Sequence, residues 1–111
     1  EAAKQGVTVF TDVMDQFVWP TLFKAHQLNK QSFAKLLCDI PVFEENIHIV
    51  QTLADEANKA QTEQYVISDA NTVLIETILE HHKLFPHIIP PRNIFTNPGW
   101  YDKETGALRC K

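Results

Sequence analysis

The sequence predicts an α/β fold, a strand–helix–strand unit preceded by a helical segment. Three observations carry this. Residues 65–68, Tyr-Val-Ile-Ser, are β-prone, and at Ser68 the apolar pattern switches from a period of two to a helical one. A second β-prone run, Ile94-Phe95-Thr96, follows after that helix and a proline-rich connection, a spacing that favours parallel pairing through a crossover helix. Residues 8–58 carry helical patterns throughout.

The elements follow in order. Val9, Phe10, Val13, Met14, Phe17 and Val18 form one wide helical face, with Thr8 as its cap. Trp19-Pro20 should break or bend that helix, because proline disfavours helix in the residue before it. Pro20 then opens the next turn, with Leu22 and Phe23 buried and Lys24 and His26 outside. Asn29 is an N-cap for a short helix carrying Phe33, Leu36 and Leu37, which Asp39-Ile40-Pro41 ends. A longer helix runs from about Phe43 to Asn58, with Glu44 and Glu45 in its first turn, where the helix dipole favours acids. A strand at 65–68, a helix at 72–82 and a strand at 94–96 come next. Residues 97–100, Asn-Pro-Gly-Trp, are turn chemistry, and residues 101–109 read as a short hairpin bending at Gly106.

At 111 residues the chain is one domain at most. A globule of this size buries roughly 60–68% of its unfolded surface, and 44% hydrophobic residues suffice for a core. The net charge is −4, with both signs interspersed. No basic stripe is present to neutralise phosphates, so nucleic acid is not an expected partner. No apolar run approaches the ~20 residues of a membrane helix, and the first residues do not read as a signal peptide. Cys38 and Cys110 lack metal-ligand spacing and read as free thiols of a reducing, cytoplasmic compartment. His81-His82 at a helix end reads as structural, because adjacent side chains point about 100° apart on a helix. Trp19 and Trp100 read as packing residues.

The informative stretch is Ser68-Asp69-Ala70-Asn71, at the seam between strand and helix. Such seams are where α/β folds place their chemistry. A helix start offers free N–H groups and a partial positive charge. A hydroxyl at the strand end adds a donor aimed the same way. Ser68 with the amides of Asp69 and Ala70 would cradle a phosphate or carboxylate, with Asn71 beside it. The plain alternative is that Asp69 or Asn71 caps the helix and Ser68 ends a strand.

Residues 65–80, YVISDANTVLIETILE, followed by IFTNPGWYDKETGALRCK at 94–111, resemble the phosphoethanolamine/phosphocholine-type phosphatases of the haloacid dehalogenase (HAD) superfamily. The match covers residues 65–110 well. More loosely, residues 1–60 are similar to the helical cap and the segment after it. The resemblance implies a partial HAD-like Rossmannoid core over 61–111, within a single partial domain 1–111. It implies that Ser68 hydrogen-bonds a transferring phosphoryl group, and that Asp69 and Asn71 lie near a small phosphorylated metabolite. Asp69 could pair with a substrate ammonium, and Asn97-Pro98 would form a structural turn.

The departures are large. The superfamily's reaction uses an Asp-x-Asp pair as nucleophile and general acid/base, then a lysine and an acid cluster that holds Mg²⁺. None of Asp12, Asp15, Asp39, Asp55, Asp69 and Asp102 has a second Asp two positions on. The acid cluster, with a lysine ahead of it, is not found after residue 97. The sequence therefore reads as an internal fragment with no catalytic residue and no metal ligand of its own, with Mg²⁺ expected in the complete enzyme. Without the nucleophile strand, residues 65–68 would present an open sheet edge, which invites dimerisation or pairing with another strand. The alternative is a non-catalytic interaction or structural module that keeps the phosphatase-like shell. A weaker one is an unrelated helix-rich domain.

Overall fold

The computed structural model describes residues 10–55 and 61–111. The expected cap Thr8 and residues 56–58 lie outside the described residues, but the helix expected to run from about Phe43 to Asn58 already ends at Leu53, with Ala54 as its C-cap. The chain is mixed helix and strand, with helices first and a strand–helix–strand unit after them, as the patterning predicts.

The first helix does not break at Trp19-Pro20. It is helical from Phe10 onward, widens into a π-helical turn over Met14–Val18, and continues as α1, Trp19–Ala25. The Trp19 N–H bonds back to the Met14 carbonyl, five residues earlier. Proline has no N–H to donate, and its ring crowds the preceding turn. A wider turn relieves that crowding, so the helix is adjusted rather than ended. Phe23 is buried, but Leu22 is exposed, contrary to the expected pair.

Asn29 caps α2, Lys30–Cys38, by accepting from the Ser32 N–H at 2.9 Å, while the Ser32 hydroxyl accepts from the Asn29 N–H at 2.9 Å. This reciprocal pair is a capping box. α3, Glu44–Leu53, begins with the two acids and buries none of its residues fully. Its carbonyl at Val50 is tied to the start of the sheet by the Gln64 side chain at 2.9 Å.

β1, Val66–Asn71, pairs in parallel with β2, Ile94–Asn97, and α4, Thr72–His81, crosses between them. β3, Gly99–Tyr101, and β4, Leu108–Cys110, form an antiparallel hairpin. Gly106 supplies the positive φ of 74° that its bend requires. β1 is longer than the four residues that β propensity marks. Ser, Asp, Ala and Asn are poor strand formers, and β2 holds them extended, with an irregularity between Ile67 and Asn71.

One hydrophobic cluster joins the two halves. Phe23, Phe33 and Leu37 from the helices meet Ala107 and Leu108 of the hairpin, and Trp19, Val73 and Ile78 pack around them. The Trp19 and Phe33 rings meet edge-on, with centroids 5.9 Å apart. Such aromatic pairs add about 0.5–1.5 kcal/mol beyond the area they bury. The opposite face of the parallel sheet is bare: Ile67 is 84% exposed and Phe95 55%.

Candidate functional site

Ser68 sits in mid-strand, half-buried, four residues before α4 begins. The expected boundary is therefore corrected. The amides of Asp69 and Ala70 belong to the strand end, not to the first turn of the helix. The reason is Asn71, which takes the N-cap position. Its side-chain oxygen accepts from the Leu74 N–H at 3.1 Å, and the residue is 2% exposed. The Ala70 N–H is directed at the Ser68 hydroxyl oxygen, 3.1 Å away. One amide of the expected cradle is thus used by Ser68 itself, whose hydroxyl hydrogen remains available to donate. Asp69 is exposed.

The carboxyl end of the sheet is held by side chains from later in the sequence. The Asn97 amide donates to the carbonyls of Asp69, at 3.0 Å, and Ala70, at 3.1 Å. Those two bonds satisfy acceptors freed where the ladder is irregular. The Thr72 hydroxyl accepts from the Gly99 N–H at 2.9 Å and donates to its carbonyl at 3.2 Å. Gly99 is obligatory there, since a Cβ would come within 2.6 Å of the Asn71 side-chain oxygen. Strand, helix start and hairpin are thereby fixed to one another.

A cavity of about 230 Å³ opens at these strand ends. Asp69, Ala70, Asn71 and Asn97 form its floor. Phe10, Thr11 and Met14 of the first helix form its roof, with Trp19 and Cys110 at the side. Ser68 does not line it; it lies directly before the floor residues. The roof is joined to β4 by Asp15, whose carboxylate pairs with the Arg109 guanidinium at 2.7 and 3.0 Å. Arg109 holds the Asp15 carboxyl below its ordinary value, with the Cys110 N–H adding to the effect against burial. Burial pushes the Cys110 thiol up.

A larger cavity, about 600 Å³, lies beyond Arg109. Size alone would favour it as the site. Its carboxylates, Asp15 and Asp102, are already paired with Arg109, and its floor is Pro20, Phe23 and Leu28. In open α/β sheets, ligands bind outside the carboxyl ends of parallel strands, and there the smaller cavity lies.

The residues at hand do not fit a resident Mg²⁺. Asp69 is the one acid among those lining the strand-end cavity. Among the described residues, no three of His, Cys, Asp or Glu gather. Mg²⁺ needs near-octahedral oxygen ligation, usually through one or two carboxylates plus substrate phosphates.

Sequence patterns marked Ser68 to Asn71 through the strand-to-helix switch. They did not mark the pairing of Asp15 with Arg109, because partners 94 residues apart leave no local signal. A parallel strand–helix–strand unit with a small cavity at the carboxyl end of its strands defines an α/β protein. The chain belongs to the family described as Putative Phosphatase, which matches residues 3–111. A search of curated proteins and one of solved structures found no match. Among the described residues no helix is long and apolar enough to cross a membrane.

Proposed function

We propose that this chain is the phosphate-recognising part of a cytoplasmic, HAD-type phosphatase acting on small phosphomonoesters of the phosphoethanolamine or phosphocholine kind. The observation that carries the reading is the position of Asp69-Ala70-Asn71 at the carboxyl end of β1, lining a small cavity, with Ser68 directly before them. The Ser68 hydroxyl donates its hydrogen to a phosphoryl oxygen. Asp69, exposed at the cavity floor, faces the alcohol end of the substrate and pairs with an ammonium there. The apolar roof keeps water from the bound group, which strengthens those polar contacts. The nucleophile, general acid/base and Mg²⁺ ligands come from outside these 111 residues, since no Asp-x-Asp pair or acid cluster is present in the sequence.

Inorganic phosphate titration, followed residue by residue by NMR, tests this reading. Weak binding that moves the Ser68, Asp69 and Asn97 signals is expected. Ser68→Ala should weaken it about tenfold to a hundredfold, the size of one charge-assisted hydrogen bond. Equal affinities would remove Ser68 from the site and leave the seam an ordinary capped helix start.

A further inference from the structure

The floor and roof of the 230 Å³ cavity come from opposite ends of the sequence. The roof is not held by deep packing: no residue of the Met14–Val18 turn is buried, and Phe10 and Phe17 are exposed. It is held by polar bonds to one strand. Asp15 Oδ1 accepts from Arg109 Nε at 2.7 Å and from the Cys110 N–H at 3.0 Å. Asp15 Oδ2 accepts from Arg109 Nη2 at 3.0 Å. A planar guanidinium meeting a carboxylate in this two-point fashion is directional as well as strong. Arg109 Nη1 reaches Asp102 Oδ2 at 3.4 Å, which braces the arginine against the hairpin turn. Asp102 is in turn fixed by the Glu104 and Thr105 N–H groups, at 2.8 and 2.9 Å. The Cys110 thiol lies 4.0 Å from the Thr11 carbonyl, on the cavity side of the same joint.

We propose that Asp15 is a positioning residue that clasps the helical roof over the strand-end cavity, so that its pair with Arg109 sets whether the site is closed or open. What binds beneath the roof rests on the phosphatase reading; the closure itself does not. With the clasp made, Phe10, Thr11 and Met14 stay over Asp69 and Asn97, and Cys110 is sealed in the wall. With the clasp broken, the roof loses its directional hold on β4 while the core of Phe23, Phe33, Leu37 and Leu108 stays intact. The site then opens without unfolding, a local opening of the kind that weakly packed segments undergo.

Cys110 supplies the readout. In a Cys38→Ser background it is the single thiol, and it is 7% exposed. Asp15→Asn and Arg109→Gln should each raise its labelling rate by a thiol reagent about tenfold or more, the size expected for losing charge-assisted bonds. Ile89→Ala, a core truncation outside the cluster beneath the roof, serves as the control. It should lower the melting temperature without matching that rise. Unchanged labelling in both clasp variants would overturn the proposal, as would an equal rise in Ile89→Ala. In the unaltered chain, hydrogen exchange gives a second reading. The Cys110 amide should exchange together with those of residues 11–18 and ahead of α2. Exchange of Cys110 with the core instead would also overturn the clasp. Inorganic phosphate titration of the same variants separates the two readings. Fast labelling with unaltered phosphate binding keeps the clasp and removes the phosphate site from beneath the roof.

Discussion

Gly99 and Asp15 show how much rests on single residues. A methyl group at position 99 would meet the Asn71 side-chain oxygen at 2.6 Å, and that oxygen is the cap of α4. Asn71 is 2% exposed and has no room to withdraw. Gly99→Ala should therefore cost about 1–3 kcal/mol, the range for overpacking, read from urea unfolding. Gly106→Ala meets no atom, but it must hold a φ of 74°, so a loss of about 1–2 kcal/mol is expected from backbone strain alone. Asp15 sets an acid limit. Its folded pKa lies below the ordinary 3.8, mainly through Arg109. A depressed carboxyl contributes stability that is present above its unfolded pKa and is lost as pH falls through the folded one. The loss should thus begin below about pH 3.8. Asp102, lowered chiefly by backbone N–H groups of its own turn, adds in the same direction. Thermal melts of wild type and Asp15→Asn should converge as pH falls below that value. A constant gap between them down to pH 2 would show that Asp15 is not the group that sets the acid limit.

Elements differ in how openly the sequence declares them. α2 is declared twice, by its apolar spacing and by Asn29 as its N-cap; the reciprocal bond from Ser32 emerges only in the structure. Replacing Asn29 with alanine removes the accepted N–H bond and should cost about 1 kcal/mol, measured by chemical denaturation. The parallel pairing of β1 with β2 was readable from the change of period at Ser68 and the length of the crossover. The extension of β1 to Asn71 was not, because Ser-Asp-Ala-Asn is turn-like by composition. Only pairing with β2, and the Asn97 amide spanning two carbonyls, makes it a strand end. The π turn was equally hidden. Trp-Pro signals a helix boundary by local rules, and the packing of Trp19 and Phe23 on Phe33 overrides them. The motif half of the site could be read from four consecutive residues. Its roof required knowing that residues 10–15 and 109–110 meet.

At the scale of the whole molecule, two consequences follow from what the chain exposes and what it lacks. Among the described residues β1 pairs on one side only, and its bare face presents Ile67 beside Phe95, with the Tyr65 ring 6.1 Å from that of Phe95. Proteins ordinarily shield such an edge with charge, proline or a covering segment. The chain alone should therefore self-associate with rising concentration, and Ile67→Lys should reduce it. Sedimentation equilibrium checks both; an unchanged monomer at millimolar concentration would sink the expectation. The pure 111-residue chain should also hydrolyse no aryl phosphate with or without added Mg²⁺. Turnover that a chelator abolishes would show that the reacting groups are present after all.

The placement of the two tryptophans gives the molecule a pair of built-in optical probes. Trp19 packs against the core cluster under the first helix, its indole nitrogen buried and beside the Cys110 thiol. Trp100 is 40% exposed, and the Arg109 guanidinium rests 5.6 Å above its ring. The first should emit in the blue, as indoles shielded from water do, and the second further to the red. The cation over Trp100 is the same one that Asp15 holds. A movement of the first helix therefore alters the surroundings of both chromophores at once, one through packing and one through charge. The colour of the emitted light should report the state of a joint that neither ring directly forms.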